Sequence, residues 1–280
     1  MANNHRPKTR NADDERPAIW VGYGKLTKLF RERARLNQQQ LAEKVGYSLE
    51  QVASIEQGRR PAKESFTDAA ERVLKAGGVL KALQDDVDLA RLPRFFQNFA
   101  AMEADALSRF SYDPLLVPGL LQTEDYARTL LNAYFPPLDD EVVDDRVTGR
   151  LARQSLLTRK NPLMVFVFIL EEAALYRQVG GPEVMRAQLE KLLEQGRLRN
   201  VEIQVMPSRR AAHSGLSGQF MLLETKDRRK FAAIGAHGVM NVRSAPDEVS
   251  ALWLQYGMLR TQALNSEESA SLIERVAGEL

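Results

Sequence analysis

Leu49, Glu50, Gln51 and Ser54 are the residues in this chain whose types and spacing best suit reading the edges of nucleic-acid bases. A glutamine amide can pair with adenine, a carboxylate can accept from cytosine N4, and a serine hydroxyl can contact either kind of base; a leucine can touch a thymine methyl. Around them stand groups suited to phosphate oxygens: Arg31, Gln38, Gln57, Arg59, Arg60 and Lys63. Phosphate contacts would hold the chain in register while the first four residues read sequence.

Such chemistry needs a scaffold, and Asn37–Pro61 reads as two short helices joined by a tight turn. Asn37 is an N-cap, and Leu41, Ala42 and Val45 fall on one helix face. Gly46 can take the left-handed conformation that ends a helix and turns the chain. Ser48 caps a second helix, with Glu50 near the positive end of its dipole. Val52 and Ile55 form a narrow inward stripe, leaving Leu49, Glu50, Gln51, Ala53, Ser54 and Gln57 outside. Gly58 closes the helix and Arg59-Arg60-Pro61 leads away. Helix, glycine turn, polar-faced helix and basic exit make a helix-turn-helix. A helix over 18–36 with Leu26, Leu29 and Phe30 inward is expected before it. After it, Phe66, Ala69, Ala70, Val73 and Leu74 mark a fourth helix ended by Gly77-Gly78, and Val79, Leu80, Leu83 and Val87 a fifth.

Residues 22–78 resemble the Xre/phage-repressor type of helix-turn-helix domain. The likeness is carried by Leu26, Leu29, Arg31 and Arg33, by Asn37-Gln38 with Leu41-Ala42 and Val45-Gly46, and by Ser48, Val52, Ile55-Glu56 and Gly58-Arg59. It implies an ion pair between Arg31 and Glu56, with the arginine also facing phosphate. A domain of this size reads only a half-site, so a homodimer on an inverted repeat of double-stranded DNA is expected.

Composition limits the alternatives. At 280 residues the chain suits two domains or more. The absence of cysteine removes disulfides, zinc–cysteine sites and thiol catalysis, and fits a reducing cytoplasm. No run approaches the roughly 20 apolar residues of a membrane span, and the polar residues 1–17 read as a disordered tail without a signal-peptide core. Net charge is +2, yet residues 1–75 hold fifteen Lys/Arg against ten Asp/Glu. Positive charge therefore accompanies the segment proposed to meet a polyanion.

Residues 18–90 form the expected DNA-binding domain and 91–280 a second one of mixed α and β. Pro93 should begin a helix in which Phe95, Phe96, Phe99, Met102, Ala106, Leu107 and Phe110 keep helical spacing. Thr123 caps a helix, and a charged helix spans about 141–158. Strands are expected at Met164–Leu170, Val201–Val205, Phe220–Leu223 and Phe231–Ile234. Helices follow at 182–196, 246–263 and 266–278, the last capped by Ser266. Catalysis finds little material here. His213 and His237 belong to no metal spacing or nucleophile–base set, and no phosphate-binding glycine loop occurs. No catalytic residue, metal or cofactor is expected.

The segments Leu115–Arg128, Val179–Met185 and Ala212–Leu216 resemble the large C-terminal domain of actinobacterial WhiJ-like Xre regulators. That likeness covers about 22–278. It implies a cytoplasmic, antitoxin-like transcriptional regulator, often paired with a small BldB-like protein. The fold class expected is mainly α with a smaller mixed α/β part: a five-helix phage-repressor-like domain followed by an α+β domain for regulation, dimerisation and partner binding. A C-terminal domain that binds a small metabolite is the alternative.

Overall fold

A computed structural model of the chain describes residues 16–92, 94–236 and 238–280. They divide into two compact units, the second running Phe95–Leu280. Most of the expected tail lies outside the described residues, which begin at Arg16 and Pro17.

The first unit opens with α1 (Ala18–Arg33), α2 (Gln38–Val45), α3 (Leu49–Glu56) and α4 (Glu64–Leu74). Helix α1 stops three residues short of the expected end because Arg35 takes a left-handed backbone, with φ of 55°. Its inward face also differs from expectation. Tyr23, Gly24, Thr27 and Arg31 are buried, Leu26 and Phe30 are only partly covered, and Leu29 is 42% exposed. The reason is packing against α3: a Cβ on Gly24 would lie 2.4 Å from the Ile55 carbonyl oxygen and 2.6 Å from that of Glu56. Polar side chains tolerate this face because they are satisfied there. Thr27 donates to the Tyr23 carbonyl at 3.0 Å, and Tyr23, Thr67 and Gln84 form a buried hydrogen-bonded chain. Burial pushes the Tyr23 phenol up to about 12.

Helix α4 ends as Lys75 turns left-handed, ahead of the two glycines. The expected fifth helix is broken at Leu83 into α5 (Val79–Ala82) and α6 (Gln84–Leu89). The Glu71 carboxylate accepts from the amides of Gly78, Leu80 and Lys81, which anchors the start of α5. Leu41, Val52, Ile55, Phe66, Leu80 and Val87 meet in the core.

The second unit is built on a six-stranded mixed sheet of order β3-β2-β1-β4-β5-β6. Helix α7 (Arg94–Ala104) stops early, and the apolar spacing that promised its continuation belongs to β1 (Ala106–Asp113). Phe110 and Tyr112 point to one face of this central strand and Arg109 and Ser111 to the other, so period two governs. Strand β1 runs parallel to β2 (Val165–Glu171), and β2 to β3 (Val201–Met206). On its other side it is antiparallel to β4 (Phe220–Thr225), which pairs with β5 (Lys230–Ala236) and then β6 (Val239–Arg243).

The crossovers carry α8 (Glu124–Asn132) and α9 (Asp140–Ala152), then α10 (Glu172–Tyr176) and α11 (Pro182–Gly196). The charged helix expected over 141–158 passes into 3₁₀ geometry at Arg153. Phe166, Phe168 and Leu170 pack with α11 and with α13 (Ser266–Glu279) on one face of the sheet. Val167, Ile169 and Leu222 pack with α12 (Pro246–Gln262) on the other. Coverage of both faces explains why β2 reads as an unbroken apolar run. The cap of α13 is Asn265 rather than Ser266. Asn265 and Glu268 bond each other's amides, whereas the Ser266 hydroxyl donates to Glu202 at 2.8 Å.

A polar strip crosses this apolar unit. Arg109 and Arg153 both pair with Glu103, whose side chain is wholly buried. Arg109 also donates to Ser111 Oγ, which donates to Asp113 at 2.6 Å. Burial raises the Asp113 carboxyl to about 6, against the pull of Arg109 and Ser111. The folded chain therefore keeps this proton at pH values where the unfolded chain, titrating near 4, has released it. Stability should fall as pH rises from about 4 to 6, by up to about 3 kcal/mol. Urea denaturation across that range checks this: Asp113→Asn should flatten the decline, and equal pH profiles for both proteins would contradict it.

Candidate nucleic-acid interface

The α2–turn–α3 segment is closed at both helix starts by reciprocal side-chain bonds. The Asn37 oxygen accepts from the Gln40 amide at 2.8 Å, and Gln40 Oε1 accepts from the Asn37 amide at 2.9 Å. Ser48 and Gln51 repeat the arrangement at 3.1 and 3.0 Å. Sequence reading found both caps and missed their partners, although the three-residue spacing Asn37–Gln40 and Ser48–Gln51 is the mark of such a box. Gly46 makes the turn with φ of 75°. Gly58 leaves α3 with φ of 64°, where a Cβ would lie 2.7 Å from the Val21 Cα.

The faces follow from this scaffold. Leu41, Ala42, Val45, Val52 and Ile55 are buried. Leu49, Glu50, Gln57 and Arg59 are exposed, and Gln51, Ser54 and Arg60 are half-buried. Arg59 and Arg60 fold back over the end of α3, their amides donating to the Ser54 carbonyl at 2.9 and 3.3 Å. Lys63 precedes α4 with its side chain exposed. Gln57 offers its carbonyl to Arg16 at 3.3 Å. The first-turn amides of Gln38 and Gln39 lie where an α-helix has no internal acceptor for them, the geometry in which helix starts receive anions.

Arg31 and Glu56 are brought together beneath this face. Arg31 Nε and Nη2 donate to the two Glu56 oxygens at 2.6 and 2.9 Å, and Nη1 donates to the Leu36 carbonyl at 2.9 Å. Arg31 is 7% exposed and Glu56 6%. The hydrogen bonds it donates to Glu56 raise the guanidinium above its usual value. Gln38 Nε2 donates to the same carboxylate at 2.7 Å. One carboxylate thus ties the end of α3 to α1 and to the start of α2.

Of the two histidines weighed for catalysis, His237 lies outside the described residues. His213 is partly buried, its side chain 3% exposed, with Nε2 3.2 Å from Glu171 Oε1 and Nδ1 accepting from the Gly215 amide. Tyr112 donates to the same Glu171 oxygen at 2.6 Å, and burial with that acceptor raises its phenol. Among the described residues, no group of His, Asp and Glu is placed to hold a metal ion, and no helix is long and apolar enough to cross a membrane.

Two family models match the chain. A helix-turn-helix domain matches residues 24–84, which include α2, the turn and α3. A domain of unknown function, DUF5753, matches residues 96–275, well over half of the length. The chain belongs to the DUF5753 family. No curated protein and no solved structure gives a significant match. In this DUF5753 protein the matched domain sits on the N-terminal unit and the sheet unit carries the family region. The combination fits an Xre-like, DNA-binding helix-turn-helix regulator.

Proposed function

We propose that the protein is a sequence-specific transcriptional regulator that enters the DNA major groove with α3. The exposed side of α3 carries this reading, since a helix needed only for packing has no use for Glu50, Gln51 and Ser54 there. Leu49, Glu50, Gln51 and Ser54 face base edges. Gln57, Arg59, Arg60 and Lys63 lie along the flanking phosphates, with the α2 start and Gln38 on the neighbouring strand. Arg31 works chiefly through Glu56, which leaves its guanidinium little surface for phosphate. The chain acts by binding rather than catalysis, in the cytoplasm, as a WhiJ-like regulator. Its C-terminal unit joins two copies on an inverted repeat and receives a small BldB-like protein.

Titration of promoter fragments recovered by genome-wide mapping, at several salt concentrations, tests the reading. Affinity should fall by about 0.9 decades per decade of salt for each phosphate neutralised. The Arg59→Ala/Arg60→Ala protein should bind more weakly and lose about 1.8 from that slope. Wild-type binding indifferent to salt, or a variant with an unchanged slope, would refute the clamp. Sedimentation of the full chain should give twice 31.5 kDa, and a monomer on and off DNA would remove the dimer.

A further inference from the structure

The turn between β4 and β5 is basic, and the recognition of DNA by α3 makes no use of it. Arg228, Arg229 and Lys230 line a cavity of about 380 Å³ with Ser244, Ser250 and Trp253. That volume lies at the small end of the range for ligand pockets. Its lining holds three cations and no carboxylate. Arg228 pairs outside it with Glu224 at 3.0 Å, and Arg229 is 4.0 Å from Asp227. Lys230 has no carboxylate partner among the described residues; its ammonium stands 4.7 Å from the centre of the Trp253 ring.

Two further observations describe the wall of this cavity. Trp253 Nε1 is buried, yet it has no hydrogen-bond acceptor. The other indole, Trp20, meets the usual rule by donating to the Val87 carbonyl at 3.0 Å. With its nitrogen closed to solvent, the Trp253 indole presents only its apolar ring to the cavity. The cavity also borders the start of α12, which has no side-chain cap from Ala245, begins with Pro246 and carries Asp247 and Glu248 in its first turn. Glu248 in that turn is engaged by Arg243 at 3.0 Å.

We propose that this cavity binds a small organic anion. Its phosphate or carboxylate head meets the cations of the turn and the hydroxyls of Ser244 and Ser250. Its apolar body lies on Phe231, Val249 and the ring of Trp253. A duplex phosphate does not fit this description, because it brings no apolar body to cover Phe231, Val249 and Trp253. The site is independent of the DNA-reading face, and either assignment can fail alone.

The chain holds two tryptophans, so an ¹⁵N-labelled sample shows two indole resonances, which Trp20→Phe assigns. The full-length protein is titrated with phenyl phosphate, benzoate and phenol to about 10 mM, a range that captures even weak ligands. Phenyl phosphate or benzoate should shift the Trp253 indole saturably, leave that of Trp20 in place, and outcompete phenol; which acid binds tighter identifies the head group. In Arg229→Ala/Lys230→Ala the same anion should bind about tenfold more weakly or worse, as loss of charge-assisted bonds requires. No saturable shift, a shift equal to that from phenol, or one unchanged in the variant overturns the proposal. So does a variant that loses promoter affinity while the wild-type indole ignores every probe, since the turn would then be a DNA contact. The wild-type titration decides even if the variant fails to fold, and promoter binding by the same sample reports separately on α3.

Discussion

Glu56→Ala should destabilise the N-terminal unit by about 3–5 kcal/mol, the scale for removing one partner of a buried ion pair. Arg31 would keep its charge while losing both Glu56 oxygens, and the Leu36 carbonyl with the exposed Glu32 carboxylate 3.9 Å away cannot balance it. Gln38 would lose its acceptor in the same step, so the junction of α1, α2 and α3 loosens together. Against a typical domain stability of 5–15 kcal/mol, such a loss removes a large share of the margin. Arg31→Ala/Glu56→Ala should cost less than Glu56→Ala, because no charge is left stranded. Urea denaturation of the single and double variants gives the coupling energy directly. A coupling near zero would mean that the pair does not act as a unit.

Gly24→Ala is expected to cost about 1–3 kcal/mol, the scale of overpacking in a closely fitted contact. Elsewhere in a helix the same change gains up to about 1 kcal/mol in propensity. Here the new Cβ meets the carbonyl oxygens of Ile55 and Glu56 at 2.4 and 2.6 Å, and both are backbone atoms that no rotamer change can remove. Helices α1 and α3 must part, and Glu56 moves with them. Gly22→Ala, in the same helix with open space at the Cβ position, is the control and should be neutral or stabilising. Thermal melts read the difference, at roughly 4–8 °C per kcal/mol for a domain of this size. Equal melting temperatures for the two variants would show that α1 does not rest on α3 through Gly24.

The contrast between the units shows which features a sequence announces. The helix-turn-helix segment was legible because its determinants are local: Asn37 and Ser48 cap, Gly46 turns, Gly58 exits, and Val52 and Ile55 mark the buried side. The pairing of Arg31 with Glu56 spans 25 residues and came from resemblance rather than from spacing. The inward face of α1 was misread because closeness, not apolarity, selects it; glycine and threonine carry no hydrophobic signal. Strand β1 imitated a helix because Phe99, Met102, Ala106 and Phe110 happen to fall three and four apart across a helix–strand boundary. Strand β6 alternates too weakly to be seen, with every residue at least partly exposed. The Glu103–Arg109–Arg153 network left no trace, since its buried charges read as surface until the sheet encloses them.

Gln51 cannot close the start of α3 and grip an adenine with both ends of its amide at once. A bidentate base contact is worth about 1–3 kcal/mol of discrimination, whereas a capping interaction is worth about 1 kcal/mol. Freeing the side chain for an operator therefore spends part of what the operator returns. Promoters that differ at this base pair would be separated less sharply than at positions read by an uncommitted side chain. A regulator made this way can serve a family of related promoters with a single protein.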